Sequence, residues 1–247
     1  ANKAFDMDVT DSIINIGLAD KQSSWTGTAF AKDLGTSGFP FKGIVNLYLA
    51  NGATWNNEAW GKTNAAFEGS HVTKFAGGAS EAAAGNIFQK DSNNLTIDNY
   101  SGNTNIFYAH TGNGENASNY AAGDTVIRGA AEGSAVSLIT DNTGVAMDNK
   151  DSVANVLNAL AGKLTYSNFV NGEKNLTGYV KIADGLTASS AALKTGDISF
   201  STDATGTKTP GQGFYEYTEM DDTVITDPIT GNLDKKYVSL GIETEKG

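Results

Sequence analysis

Four carboxylates crowd one short stretch, Glu216, Glu219, Asp221 and Asp222. Glycoside hydrolysis needs two carboxylates roughly 5–9 Å apart, so this run is the first place to look for an acid/base pair. Phe214, Tyr215, Tyr217 and Met220 alternate with it, as on an outward strand face followed by a turn, which reads as solvated surface. Asp6, Asp8 and Asp11 could offer calcium oxygens, but their spacing lacks the glycine turn and terminal glutamate of an EF-hand. The chain has Cys 0 and His 2, and the histidines, His71 and His110, lie far apart in sequence. Thiolate metal sites and cysteine nucleophiles are therefore absent, and a Ser-His-Asp triad would have to draw on a single histidine. With Arg128 as the single arginine, neutralising a uronate would fall to a lysine. Gly112-Asn113-Gly114 is too short for a phosphate loop and no helix pattern follows it. Asn94, Asn116 and Asn175 each head a glycosylation-type triplet, which here reads as turn chemistry. No catalytic residue, metal ligand or cofactor is assigned.

Binding chemistry is better supplied. Trp55 and Trp60 flank Asn56, Asn57 and Glu58, and Tyr100, Tyr108 and Tyr120 neighbour Asn- and Gly-rich segments. Aromatic faces stack on the apolar faces of pyranose rings while amides bond hydroxyls. Trp60, Asn57 and Tyr108 are therefore the expected glycan contacts. Trp25 and Trp55 are better placed to fill an interior.

Charge narrows the partners. Lys+Arg 17 against Asp+Glu 28 gives a net charge of -11 over 247 residues. Such a surface has no basic footprint for a phosphate backbone and is repelled by an anionic membrane face, which argues against nucleic acid as partner. No apolar run approaches the roughly 18 residues of a membrane span, and Ala1 opens no signal-peptide pattern.

The elements that must position these groups are short and alternating. Ile14, Ile16 and Leu18 alternate with Asn15 and Gly17, and Val45, Leu47 and Leu49 alternate with Asn46 and Tyr48. Similar runs surround Ile97, Ile106, Val126, Leu138, Val180, Ile198 and Leu240. Period two over four to six residues predicts half-buried strands. Asn51-Gly52, Ser101-Gly102, Asn113-Gly114, Asn171-Gly172 and Asp184-Gly185 mark turns between them. Gly, Asn, Thr and Ser together make 97 of the 247 residues. Asn-Leu heads three runs, at Asn46, Asn94 and Asn175. Repeated strand-and-turn units without hairpin spacing predict a solenoid of about ten coils, each of roughly 20–25 residues, with asparagines laddering at turns. An antiparallel sandwich or barrel would use similar patterns and is the alternative. Gly77 to Gly85 is expected to protrude as a loop. One segment differs: within 148–164, Val153, Val156, Leu157 and Leu160 share a helical face, predicting a helix over 151–162 with caps at Asp148–Asp151 and Gly162.

Three stretches together resemble a known family. Trp25-Thr26-Gly27 with Phe30 leads into GIVNLYLANGATWN from Gly43; NNLTIDNYSGNTNIFYAHT spans Asn93 to Thr111; GDTVIRGAAEGSAVSLITDNTG spans Gly123 to Gly144. Their order is similar to the C-terminal passenger region of bacterial type V autotransporters. Lys174 to Phe200, with the helix upstream, resembles adhesin-like versions from Negativicutes. The resemblance implies an all-β, right-handed, single-stranded parallel β-helix with one short helical insertion, residues 1–247 forming one domain of a longer passenger. It also implies a non-enzymatic cell-surface stem tethered through its own C-terminal translocator barrel, serving as an autochaperone. Host or bacterial surface glycans or proteins are the expected partners, without direct membrane insertion. The remaining alternatives are a polysaccharide-active β-helix enzyme and a surface-layer or fibre protein.

Overall fold

A computed structural model describes residues 11–29, 42–58, 69–90, 94–110, 120, 123–166, 175–198 and 217–219. In chain order the strands are β1 (Asp11–Leu18), β2 (Ser24–Thr26), β3 (Lys42–Leu49), β4 (Thr54–Asn57) and β5 (Gly69–Ala76). Next come β6 (Gly85–Gln89), β7 (Asn94–Ser101), β8 (Asn103–Tyr108), β9 (Thr125–Ile127) and β10 (Ser134–Asp141). The helix α1 (Lys150–Ala161) precedes β11 (Leu164–Tyr166), β12 (Leu176–Ala183), β13 (Ala192–Ile198) and β14 (Tyr217–Glu219). The chain is mostly β, with parallel sheets and one helix.

Up to β12, consecutive strands go to different sheets. A six-stranded sheet, sheet A, has the order β1-β3-β5-β7-β9-β11. An eight-stranded sheet, sheet B, has the order β14-β13-β12-β10-β8-β6-β4-β2. Each circuit of the chain therefore lays one strand beside its predecessor in each sheet. Pairing is parallel from β1 to β11 in sheet A and from β2 to β12 in sheet B.

Circuit length departs from expectation. Gly85 pairs with Thr104, nineteen residues on, whereas Ser134 pairs with Leu176, forty-two residues on. Sheet A counts six strands among the described residues, fewer than the roughly ten expected coils, because the connections are longer than the strands suggest. Nor do the three Asn-Leu heads stack on one another. Leu47 pairs with Phe75, Leu95 pairs with Ser70, and Leu176 lies in the other sheet.

Parallel pairing also has an end. β13 joins β12 and β14 joins β13 in antiparallel fashion. Only residues 184–191 connect β12 to β13, closed by the Asp184 N–H donating to Ala191 O at 2.9 Å. A parallel crossover needs a dozen residues or more, so so short a link forces a hairpin.

The core lies between the sheets. Trp55, Ile87, Ile106, Leu138 and Val180 are paired successively across sheet B, and all are 0–1% exposed. Leu47, Phe75 and Tyr100 make the matching row in sheet A. Each fully buried side chain of this kind stabilises by about 1.5–3 kcal/mol. α1 packs against β10, β12 and β13 of sheet B. Val153, Val156, Leu157 and Leu160 join the same core, as the helical spacing requires. Asn149 caps α1, its side chain accepting from Asp151 N and Ser152 N at 2.9 and 3.1 Å. At the other end, Ile14 of β1 is 54% exposed, though it pairs with buried Val45.

Residues 77–85 turn from β5 to β6 with a single 3-10 turn at Glu81–Ala83. Gly78 bonds with Asn103 in both directions, and Glu81 forms an ion pair with Lys181 of β12. The segment thus reaches across β8 and β10 over sheet B.

Candidate functional site

Outward residues of sheet A build the principal site. Asn15, Asn46, Lys74 and Asn99 are paired successively on β1, β3, β5 and β7, forming one row across four strands. Three strand spacings make that row roughly 14 Å long. Asn46 Nδ2 donates to Asn15 Oδ1 at 2.9 Å, and Asn99 Nδ2 donates to Thr73 O at 3.2 Å. Asn46 Oδ1 is shielded yet accepts no hydrogen bond among the described residues, so the ladder ends on an unsatisfied acceptor. In β5, Val72 and Phe75 are buried while Thr73 and Lys74 between them are not; in β7, Ile97, Asp98, Asn99 and Tyr100 repeat the pattern. Two successive outward residues thus break the strict alternation of a strand at the same level in β5 and β7.

A groove of about 710 Å³ follows this row. Tyr48, 41% exposed, stands on its wall, and Asn175 and Tyr166 extend it past β7. Lys74 is the one ionisable amine among its described lining residues, and none of these is a carboxylate. The lining therefore offers amide and hydroxyl hydrogen bonding and aromatic surface, without an acid/base pair.

Beside it lies a charged chain of three residues. Asp98 accepts from His71 Nε2 at 2.8 Å through one oxygen and from Arg128 at 3.0 Å through the other. It ties β5, β7 and the end of β9 together on the outer surface. Among the described residues no hydroxyl is hydrogen-bonded to His71. The second histidine, His110, is buried, with Nε2 2.8 Å from Asp141 Oδ1 and Tyr120 edge-on to its ring.

The expected glycan contacts fall elsewhere. Trp60 lies outside the described residues. Asn57 and Tyr108 are brought together by the fold, but inside it, both 0% exposed. Asn57 pairs with Gln89 and Gln89 with Tyr108 on successive strands of sheet B. Asn57 Nδ2 donates to Gln89 Oε1, Ser70 Oγ donates to Asn57 Oδ1 at 2.6 Å, and the Tyr108 hydroxyl meets Thr125 Oγ1. This closed network leaves neither side chain a surface to offer a sugar. Trp55 fills the interior, and Trp25, partly buried, stacks on it with centroids 5.2 Å apart and planes at 10°. Glu219 on β14 and Asp11 on β1 are described as backbone only; Glu216, Asp221, Asp222, Asp6 and Asp8 lie outside the described residues. Among the described residues no three His, Asp or Glu side chains gather as a metal site. Turn asparagines bond backbone of the neighbouring circuit: Asn51 Nδ2 donates to Ala19 O at 3.1 Å, and Asn175 Nδ2 to Ala130 O at 3.2 Å. Asparagine-to-asparagine rungs, Asn15–Asn46 and Asn86–Asn105, lie on strands instead.

Burial raises the ionisation of Tyr100, Tyr108 and Tyr120 well above the ordinary tyrosine range. Below pH ~10 the phenols are protonated in both folded and unfolded chains. Above it the unfolded chain releases these protons and the folded chain retains them, so stability falls as pH rises. In an alkaline titration followed by phenolate absorbance, these three of the nine tyrosines should ionise only as the β-sheet circular dichroism is lost. Ionisation of all tyrosines in one phase with the dichroism intact would contradict it.

Compared with family models, curated proteins and solved structures, the chain finds no match.

Proposed function

We propose that this chain is the stem of a bacterial cell-surface passenger, a non-enzymatic scaffold for adhesion, built as a right-handed single-stranded parallel β-helix. The reading takes its support chiefly from one observation: up to β12, each successive strand enters the opposite sheet and stacks in parallel on its predecessor. Such a molecule grows along one axis, each circuit contacting mainly its neighbours, which suits it to projecting a binding surface from a cell. The scaffold works outside the outer membrane, tethered to a translocator barrel of its own parent chain. The C-terminal part of the stack supports an autochaperone role. There α1 covers the core beside β12. A chain that closes its core at the C-terminal end first gives each earlier circuit a finished edge to join.

The experiment is display behind a signal peptide and ahead of an outer-membrane barrel. The whole chain is expected on the surface and resistant to external protease. Deleting residues 11–58 should leave the remainder resistant; deleting 134–198 should leave it sensitive. Absence of display, with a control passenger displayed by the same barrel, would overturn the scaffold reading. Equal resistance after both deletions would overturn the autochaperone role.

A further inference from the structure

We propose that the groove over β1, β3, β5 and β7 binds an extended, β-linked polysaccharide of low charge; this rests on the stacked-sheet scaffold above and names its ligand. Repeat distance is the first reason. Asn15, Asn46, Lys74 and Asn99 recur once per strand, at about 4.8 Å, close to the advance of one β-linked pyranose along an extended chain. Successive sugars thus each meet one polar side chain of the row, which a compact ligand or a coiled polysaccharide cannot do.

The second reason is chemical. A carboxamide both donates and accepts, matching the hydroxyl of a sugar, and Asn15, Asn46 and Asn99 bring three of them into one row. Tyr48 supplies an exposed ring on the groove wall. Charge decides between glycan classes. The groove brings one cation, Lys74, within a chain of net charge -11. A polyanion would be repelled by that overall charge, whereas a neutral or sparsely charged chain loses nothing. The volume, about 710 Å³, falls within the range of small-ligand sites.

Isothermal titration of the soluble chain with cellohexaose, chitohexaose, maltohexaose and a heparin hexasaccharide tests this. At least one of the two extended hexaoses should bind, while maltohexaose and the heparin fragment bind at least tenfold more weakly. Lys74→Met and Tyr48→Ala, both at exposed positions, should each weaken binding about fivefold, the loss of one neutral or charge-assisted contact. The pair Asn46→Ala and Asn99→Ala should remove it, with circular dichroism confirming the fold. No binding of either extended hexaose overturns the proposal. So does unchanged affinity in both Lys74→Met and Tyr48→Ala, or preference for heparin. Failure here with a displayed, protease-resistant chain leaves the scaffold reading intact. Binding by the soluble chain with failed display overturns the surface reading and keeps the groove.

Discussion

Trp55→Ala is expected to lower stability by about 3–5 kcal/mol, the range for removing a buried tryptophan from a core. Trp55 is 0% exposed, its ring lies against Trp25, and its Nε1 donates to Gly27 O at 2.8 Å. Truncation empties the row between β2 and β6, ends the ring stack and leaves a buried carbonyl without its donor. For a chain of this length the midpoint of thermal unfolding should fall by on the order of 10 °C. The loss should not be uniform. β4 is hydrogen-bonded to β2 and β6, so hydrogen exchange should quicken first in these three strands. Trp55→Phe keeps an aromatic filling and should cost about half as much, losing the hydrogen bond and part of the volume. A shift of less than 2 °C in the alanine variant would contradict the packing described for Trp55.

Gly69→Ala is expected to damage the fold at least as severely, for a backbone reason. Gly69 opens β5 with φ +117°, and a Cβ there would stand 2.2 Å from Asn94 O and 2.7 Å from Asn94 N. Both atoms belong to the main chain of the adjacent strand, so no side-chain rotation relieves the contact. The strand must shift, and a one-residue slip would turn its buried row outward. The cost should exceed about 4 kcal/mol, the level reached only by changes that break a special geometry. Gly133→Ala is the control, because at φ +75° its Cβ would meet nothing within 4 Å. It should cost only the left-handed penalty of about 1–2 kcal/mol. Denaturant unfolding of the two variants measures the difference. If they prove equally stable, close approach of β5 and β7 is not what requires glycine at 69. The groove would suffer with the strand, since β5 carries Lys74, so Gly69→Ala should also lose hexaose binding.

The helix was legible because its signal is local. Val153, Val156, Leu157 and Leu160 share a face whatever they pack against, and all four are buried. The strands were legible for the same reason, from alternation alone. Register was not, because the partners of the parallel pairs lie nineteen to forty-two residues apart and connection length carries no hydrophobic period. That is why the Asn-Leu heads, alike in sequence, take unlike positions.

The site shows where chemistry misled and parity would have helped. Asn57 looks like a sugar contact by type, yet it stands two residues from Trp55. On a strand, residues two apart share a face, so a Trp55 that fills the interior carries Asn57 inside with it. Ile106 commits Tyr108 in the same way. Conversely, Asn15 sits between Ile14 and Ile16, and Asn46 between Val45 and Leu47, so both had to face outward. Their alignment into one row required the register, and no alternation within a single strand contains it.

The uneven circuits have a consequence for engineering. The interval from Ser134 to Leu176 carries α1, yet β10 and β12 pair residue for residue over all eight positions. Here the pairing holds although the connection lengthens to carry a helix, so this connection is a port at which cargo can be spliced. A peptide inserted between Asp141 and Asn149, ahead of α1, would be displayed at the end of β10 with its pairing to β12 left in place.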